Sequence, residues 1–462
     1  MTTPTITTVD PATGRPVGAY DTYDDARIDA VVARSAEQAR RWAARPVAER
    51  AVVLRRIADL LREGREDYAA LMTREMGKPL AESLGEVDKC ALTADYYADH
   101  AEAFLAEEPV DVAPARAWVA HEPLGVVLAV MPWNFPFWQV MRAGLPALAA
   151  GNGMVLKHAA NSTGSALALE ELLGRAGAPQ GLLGALVVEE PRVPGVIASL
   201  VADDRVQAVT LTGSNRAGSA VGALAGREVK KSVLELGGSD PFVVLADADL
   251  DLAVPAAVRA RFTNAGQSCV CAKRFIVERT AYEEFVRRFV AAAESLRVGD
   301  PTDPATQMGP LAREDLRHAL HDQVERSVAA GAELRTGGGP LDRDGYFYAP
   351  TVLTNTGPGV PAFDEETFGP VAAVAVAEDE DHAVELANAT VYGLGASVWT
   401  ADAERGAAVA RRLRSGAVFV NAVVASDPRV PFGGVGRSGH GRELGLAGIR
   451  EFTNTRTYWS AA

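Results

Sequence analysis

The chain has 462 residues, of which 48% are hydrophobic and 23% are charged, values typical of a globular protein with a large core and two or three domains. This composition excludes a disordered, collagen-like or coiled-coil protein. Against 46 Lys+Arg stand 60 Asp+Glu, and the formal net charge of -14 has the wrong sign for a protein whose main partner is nucleic acid. Three cysteines, Cys90, Cys269 and Cys271, are too few for a disulfide framework and predict a reducing compartment, the cytoplasm.

The hydropathy of the sequence predicts neither a secretory signal nor a membrane span. The opening segment MTTPTITTVDPATGRPVG has no basic region followed by an apolar one, so we expect no secretory signal. The run from Pro123 to Met141 has no charged residue, but Pro132 and Pro136 would break a helix there. We therefore predict a buried strand followed by a loop, and no membrane span.

From Asp24 to about Glu108, apolar residues recur every three or four positions and predict successive amphipathic helices. Strands and helices then alternate, which predicts a mainly parallel, doubly wound sheet and a second α/β domain beginning near Leu236. The first series of strands is predicted at 126–130, 154–157, 185–188, 208–213 and 232–238. The second series is predicted at 241–245, 274–278, 371–377, 396–400 and 417–422.

Three polar side chains lie where such folds present chemistry. Cys269 lies in the loop NAGQSCVCA and is either a nucleophile or a buried structural thiol. Glu235 ends a strand before two glycines and is either a general base or a solvated carboxylate. Asn134, between Pro132 and Pro136, could stabilise an oxyanion or form an Asx turn.

A phosphate-binding turn is suggested by TLTGSNRAG, where two glycines follow a strand and precede a helix. The segment lacks the GxGxxG spacing of the usual dinucleotide fingerprint, and it is also compatible with an ordinary turn.

The motifs PWNFP, TGSNRAG, LELGG, GQSC, EETFGP and PFGGVGRSG occur in the order and spacing of aldehyde dehydrogenases, which the chain resembles from about residue 6 to 458. The resemblance implies an α/β fold with a Rossmann-like cofactor domain, an α/β catalytic domain and a small β oligomerisation element. These parts are expected at 1–109 and 122–235, at 236–425, and at 110–121 and 440–462, respectively. It also implies a homodimer or homotetramer.

The same resemblance implies roles for individual residues. Cys269 matches the nucleophile and Glu235 the general base that activates water, while Asn134 and the Cys269 backbone N–H match the oxyanion hole. Contacts to the cofactor are implied for Trp133, Lys157, Ala160, Gly213, Ser214, Glu366 and Phe368. No metal is implied.

Cofactor choice depends on KHAAN, from Lys157 to Asn161. In the family, NAD-preferring members often carry a glutamate at the position of Ala160, where it repels a 2′-phosphate. Because that carboxylate is missing here, NADP is favoured and NAD remains open.

The chain is most similar to short bacterial succinate-semialdehyde dehydrogenases of this family. Arg142 and Ser426 match their carboxylate-binding arginine and hydroxyl. Some of those relatives have a second arginine where this chain has Thr263, with Arg261 nearby and Arg429 as a substitute. The resemblance therefore implies succinic semialdehyde as the substrate, with a broad-specificity aldehyde dehydrogenase or a non-catalytic protein on the same scaffold as alternatives.

Some of those relatives carry the same Cys-x-Cys arrangement, which suggests a redox switch. An extended backbone would place the Cα atoms of Cys269 and Cys271 about 6.5–7 Å apart, at the edge of disulfide geometry. Two interpretations stay open: a strained, easily reduced disulfide that blocks Cys269, which the resemblance suggests, and a small apolar strand residue at Cys271 that only packs.

Overall fold

The computed structural model describes residues 4–461; residues 1–3 and 462, at the extremes of the predicted domain ranges, lie outside the described residues. The strands are β1 Thr5–Asp10, β2 Arg15–Asp21, β3 Glu108–Val112, β4 Ala115–Pro123, β5 Val126–Met131, β6 Gly153–His158, β7 Leu183–Leu186, β8 Val206–Thr212, β9 Lys231–Glu235, β10 Asp240–Val244, β11 Ala272–Glu278, β12 Glu333–Thr336, β13 Thr351–Thr354, β14 Val371–Ala377, β15 Gly395–Trp399, β16 Ala417–Val420, β17 Gly439–His440 and β18 Thr453–Ser460.

The α-helices are α1 Asp25–Ala43, α2 Val47–Glu63, α3 Arg65–Met76, α4 Leu80–Phe104, α5 Trp138–Ala149, α6 Thr163–Arg175, α7 Val193–Ala202, α8 Asn215–Arg227, α9 Leu250–Phe262, α10 Arg279–Glu294, α11 Glu314–Ala329, α12 Pro361–Asp364, α13 Glu380–Asn388, α14 Ala403–Ala410 and α15 Gly445–Glu451. The predicted amphipathic region after Asp24 is thus four helices, α1 to α4, and the α/β class is confirmed.

The first large sheet has the strand order β17-β9-β8-β5-β6-β7, and all of its strands except β17 run parallel. Strands β5 and β6 are almost wholly buried and apolar, as parallel strands covered on both faces must be. The uncharged run predicted to be a strand and a loop forms β5, the loop 132–137 and then α5. Within residues 4–461, no helix is both long enough and apolar enough to cross a membrane.

The second large sheet has the order β12-β13-β14-β11-β10-β15-β16, with only β12 antiparallel to its neighbour. The chain crosses from the first sheet to the second between β9 and β10, so Leu236 lies at the crossing. In parallel sheets, ligands bind beyond the carboxyl ends of the strands. Two strands, β9 and β10, therefore place Glu235 and the glycines that follow it between the two sheets.

A third, small sheet has the order β18-β4-β3. The oligomerisation element was expected to contain all of 440–462, but only β18 joins this sheet. Strand β17 pairs with β9 instead, with Gly439 opposite Glu235, and Leu444 and Ile449 pack in the core under the first sheet. Together with Phe452, these side chains anchor the segment before β18 in that core, which is why it does not extend the small sheet.

Candidate active site

A cavity of about 320 Å³ lies between the two large sheets and α4. Cys269, Arg142 and Ser426 all line it, so three of the predicted site residues meet in one place. Phe135, Trp138 and Phe432 give much of the wall an apolar character. An enclosed, mostly apolar pocket with a few polar groups is typical of a small-molecule site.

The backbone around Cys269 is a turn. The Cys271 N–H donates to the Ser268 carbonyl at 3.3 Å, and β11 begins only at Ala272. The expected extended backbone between Cys269 and Cys271 is therefore wrong, because the chain must bend before it can enter the sheet. Both thiols are free, and both line the cavity. The redox switch stays a prediction.

The loop before Cys269 has a strained backbone, since Asn264 and Ala265 have φ of 53° and 51°. Arg261 holds this loop in place: its guanidinium donates to the carbonyls of Gly266 at 2.8 Å, Gly369 at 2.6 Å and Ala272 at 3.1 Å. Arg261 is fully buried, so it cannot serve as the nearby substrate arginine. Its role is to position the nucleophile loop.

Asn134 is fixed by the same loop. Its Nδ2 donates to the Gln267 carbonyl at 3.0 Å, and its own backbone carbonyl accepts from Asn264 Nδ2 at 2.8 Å. One N–H of the Asn134 amide has no hydrogen-bond acceptor among residues 4–461. A held amide with a spare N–H, next to the loop that carries Cys269, has the features of an oxyanion donor.

Glu235 ends β9 and is 1% exposed, and neither carboxylate oxygen has a hydrogen-bond partner within residues 4–461. Burial, together with the neighbouring Glu443 carboxylate, raises the pKa of Glu235 to about 8, while Arg142 opposes the shift. A buried carboxyl group with such a pKa can exchange protons near neutral pH. This is the property that a general base needs.

The two glycines after Glu235 allow a close approach. A Cβ on Gly238 would lie 2.7 Å from the Cys269 carbonyl oxygen, and one on Gly237 would lie 2.2 Å from Glu366 Oε2. The missing side chains therefore allow Gly238 to pack directly against the turn that carries Cys269, and Gly237 to pack against Glu366.

Arg142 lies on α5 and is 2% exposed at its side chain. Its guanidinium forms an ion pair with Glu443 and donates to Thr212 Oγ1 at 3.3 Å. The sequence analysis missed Glu443, because no local pattern brings a residue near the C-terminus next to α5. The charge of Arg142 is thus already neutralised before any substrate enters.

Burial raises the pKa of the Cys269 thiol to about 12, with the positive charges of Arg142 and Lys273 opposing this effect. Glu235 and Asp240 contribute to the increase. Cys269 is therefore a neutral thiol at physiological pH, and a role as nucleophile would require it to lose this proton.

Lys89, on α4, was also missed. It lines the cavity, and its Nζ donates to Ser426 Oγ at 2.7 Å. On α4, Glu82, Gly85, Glu86 and Lys89 line the cavity at helical spacing. That periodicity is visible in the sequence, but it is also the pattern of any buried helix face.

Arg429, the predicted substitute for a second substrate-binding arginine, is paired with a carboxylate. Arg429 is exposed, and its guanidinium forms a two-bond pair with the Asp427 carboxylate at 2.8 and 2.6 Å. Its charge is therefore committed on the surface, so it does not substitute for the arginine replaced by Thr263.

The predicted pyrophosphate turn lies at the N-terminus of α8. Ser214 caps this helix, since its Oγ accepts the Ala217 N–H at 3.3 Å. A Cβ at Gly213 would have no atom closer than 3.7 Å, so the space above the turn is open. An open, capped helix N-terminus fits an anionic diphosphate.

The predicted nicotinamide-ribose contacts lie beside the nucleophile turn. Glu366 Oε1 accepts the Gly238 N–H at 3.0 Å and lies 3.1 Å from Lys273 Nζ. The Phe368 and Trp133 rings meet edge to face with centroids 5.8 Å apart. Lys273 Nζ lies 5.9 Å from the centroid of the Phe368 ring, so contacts connect Glu366, Lys273, Phe368 and Trp133.

Lys157 is the penultimate residue of β6, and among residues 4–461 its buried ammonium has one carboxylate within 4.0 Å, that of Glu190 at 3.7 Å. Burial lowers the pKa of Lys157, and Glu190 opposes this. Ala160 carries no charge, as predicted, but the sequence analysis did not anticipate Glu190. This exposed carboxylate comes from the segment after β7, and only the parallel pairing of β6 with β7 brings it to Lys157.

A two-sheet α/β fold with a cysteine, a buried glutamate and a capped helix N-terminus at the crossing defines a cofactor-dependent enzyme of the aldehyde dehydrogenase type. The sequence model of the aldehyde dehydrogenase family matches residues 1–458. The chain therefore belongs to the aldehyde dehydrogenase family, and the predicted resemblance is confirmed.

Individual relatives are similar over their whole length. The chain is 48% identical to a probable succinate-semialdehyde dehydrogenase [NADP(+)] of Synechocystis over 457 residues, which cover 99% of this chain and 100% of the relative. It is 49% identical over 459 residues to succinate-semialdehyde dehydrogenase [NADP(+)] 1 of Mycobacterium tuberculosis, with the same coverage.

Among solved structures, succinic semialdehyde dehydrogenase from Streptococcus pyogenes in complex with NADP+ superposes with a TM-score of 0.95 at 38% identity, covering 98% of this chain and 99% of that one. Succinate-semialdehyde dehydrogenase from Burkholderia pseudomallei gives a TM-score of 0.96 at 35% identity, covering 99% and 95%.

Proposed function

We propose that the protein oxidises succinic semialdehyde to succinate with NADP(+). The observation that carries this proposal is the single cavity in which a free thiol, Cys269, shares its walls with a hydroxyl and two partly or fully buried cations, Ser426, Lys89 and Arg142. A short aldehyde with a terminal anion fits such a cavity, because its reactive carbon and its carboxylate require different chemistry at the two ends. The names and cofactors of the relatives support the same conclusion.

In this proposal, the Cys269 thiol releases its proton to solvent as its sulfur attacks the aldehyde carbon, and a thiohemiacetal forms whose oxygen carries the negative charge. The spare N–H of Asn134 and the backbone N–H of Cys269 hold the oxygen that gains the charge. A bound nicotinamide cofactor would supply the acceptor for the hydride that this carbon loses. Cys269 is left as a thioester of the product.

Glu235 completes the reaction. Its buried carboxylate takes a proton from water, the resulting hydroxide attacks the thioester, and the carbon–sulfur bond breaks to give the carboxylic acid and the thiol. The unpartnered oxygens of Glu235 support this assignment, because a general base must have a free lone pair.

NADP would be held by residues that already fit it. Ser214 and Gly213 would receive the diphosphate at the start of α8, and Glu366, Phe368 and Trp133 would contact the nicotinamide end. Lys157 would bind the 2′-phosphate, beside the uncharged Ala160. Glu190, which is exposed, would have to move away from Lys157.

We further propose that residues 1–109 and 122–235 act as the cofactor domain and residues 236–425 as the catalytic domain. We also propose that residues 110–121 with β18 assemble a homodimer or homotetramer in the cytoplasm. Trp459, on the edge strand β18, is 62% exposed, and this supports an association through the small sheet. Light scattering at several protein concentrations tests the oligomer.

The test of the function is steady-state kinetics on succinic semialdehyde, butanal and benzaldehyde, each with NADP+ and NAD+. The proposal predicts the highest kcat/KM for succinic semialdehyde with NADP+. Similar values for all three aldehydes would favour the broad-specificity alternative, for which the apolar Phe135, Trp138 and Phe432 are the supporting observation. The absence of oxidation with every pair would refute both.

A further inference from the structure

Three cations line the cavity: Lys89, Arg142 and Arg259. Arg142 is paired with Glu443 and stacks on the Phe432 ring with a separation of 4.5 Å. Arg259 lies on the exposed face of α9 at the rim. Only Lys89 is both partly buried and without a carboxylate within 4.0 Å among residues 4–461.

The carboxylates around Lys89 are all committed elsewhere. Glu86 forms an ion pair with Lys78, and its other oxygen accepts the N–H groups of Phe137 and Trp138, both at 2.8 Å. Glu86, on the same helix, is therefore not available to neutralise the charge of Lys89.

The remaining acidic neighbours are likewise occupied. Glu82 accepts the Asn264 N–H at 2.8 Å and so supports the nucleophile loop. Asp427 holds Arg429 through two hydrogen bonds.

The contacts that Lys89 does make are those of a partly filled anion site. Its Nζ donates one hydrogen bond, to the neutral Ser426 hydroxyl, and lies 4.3 Å from the centroid of the Trp138 ring. An ammonium group has three N–H donors, so donors remain for a ligand. Burial, with Arg142 as the next cause, lowers the pKa of Lys89 to about 8, and a bound anion would offset this cost.

We infer that Lys89 Nζ, with Ser426 Oγ, is the group that binds the terminal carboxylate of the substrate and makes the enzyme select aldehydes with an anionic end. This inference rests on the proposed function. The thiol of Cys269 and the Lys89–Ser426 pair line the same cavity, so both face a substrate that enters it. Arg142, already neutralised by Glu443, acts instead as a positioning residue for the buried carboxylates.

The test compares kcat/KM for succinic semialdehyde and for butanal, which has the same carbon chain without the carboxylate. In Lys89→Met, the value for succinic semialdehyde should fall roughly ten- to a hundredfold, mainly through KM, while the value for butanal should fall far less. Lys89→Arg should recover most of the loss, since it restores the charge. Lys89→Gln, which keeps a donor for Ser426, provides a second uncharged variant should the Met variant fold poorly.

One further variant serves as a control. Arg259→Met removes the rival cation at the rim, and it should leave the selectivity largely in place.

The outcomes separate this inference from the proposed function. If the wild-type enzyme does not prefer succinic semialdehyde to butanal, the proposed function is wrong. If the wild-type enzyme does prefer succinic semialdehyde, two results would show that the assignment of Lys89 is wrong while the function stands. One is that Lys89→Met and Lys89→Gln lower kcat/KM equally for both substrates. The other is that only Arg259→Met abolishes the preference.

Discussion

The two ends of the cavity differ in whether their cation is paired with a carboxylate. At the deep end, where Arg142 lines it, the cavity borders a fully buried cluster of Arg142, Glu235 and Glu443, in which one cation lies between two carboxylates. At the other end, Lys89 is partly exposed, and its ammonium contacts a hydroxyl and an aromatic ring but no carboxylate among residues 4–461. One end is internally compensated, and the other is open to an ion from outside.

This difference separates chemistry from recognition. A buried, compensated cluster can tune the pKa of a catalytic group without attracting a charged ligand. A cation without a carboxylate partner can select the ligand without taking part in the reaction. Two positive side chains in one cavity therefore have different functions, and the sequence alone does not distinguish them.

The largest effect that we expect at the deep end comes from Cys269→Ser. An alcohol is a far weaker nucleophile than a thiolate, so aldehyde oxidation should fall by at least about a thousandfold. Cofactor binding, measured by fluorescence titration, should change little. Substantial residual turnover would mean that Cys269 is not the nucleophile.

Arg142→Ala tests whether Arg142 supports the buried carboxylates rather than selecting the substrate. It leaves Glu443 and Glu235 buried without their cation, which should destabilise the protein by about 3–5 kcal/mol and lower kcat/KM for succinic semialdehyde and butanal by similar factors. Denaturant unfolding and parallel kinetics measure both effects. A loss confined to succinic semialdehyde would return the carboxylate-binding role to Arg142, as the family resemblance implied.

The pKa of Glu235 predicts a pH profile. Because that pKa is raised to about 8, most of the carboxyl group is protonated at pH 7 and becomes a base as the pH rises through 8. Where hydrolysis limits turnover, kcat should increase by up to about tenfold per pH unit below the pKa and then level off. Glu235→Gln should have a low and flat profile over the same range. A wild-type kcat that is constant from pH 6 to 9 would contradict this role.

The smallest effects are expected at the cofactor. Glu190→Gln removes the carboxylate 3.7 Å from Lys157, so the preference for NADP over NAD should rise a few-fold. Ala160→Glu adds a negative charge near the proposed 2′-phosphate and should lower the preference. The ratio of kcat/KM for the two cofactors measures both changes. An unchanged ratio in both variants would place the 2′-phosphate elsewhere.

Much of the architecture was predictable, because strands β5, β6, β8, β10, β11, β14 and β15 are short apolar runs separated by amphipathic helices. Strand β12 was not predicted, since it is largely exposed and its sequence, ELRT, has no apolar periodicity. Strand β17 has only two residues and forms because the PFGGVGRSG segment pairs with Glu235, a tertiary interaction.

Within the site, the motifs predicted the residues that lie close to the reaction, and the structure added those that control their charge. Glu443, Glu190 and Lys89 act across long sequence separations on Arg142, Lys157 and Ser426, respectively. Whether a buried ion has a partner depends on packing between distant elements. No local pattern encodes this.

The central claim is that Cys269 carries the substrate as a thioester that Glu235 hydrolyses. The most direct test is to mix Glu235→Gln rapidly with succinic semialdehyde and NADP+ and to measure the mass of the intact protein and of its peptides. We expect a burst of NADPH and a mass increase of one succinyl group on the peptide that contains Cys269, with little further turnover. No adduct during a burst, or an adduct on Cys90 or Cys271 instead, would contradict the account.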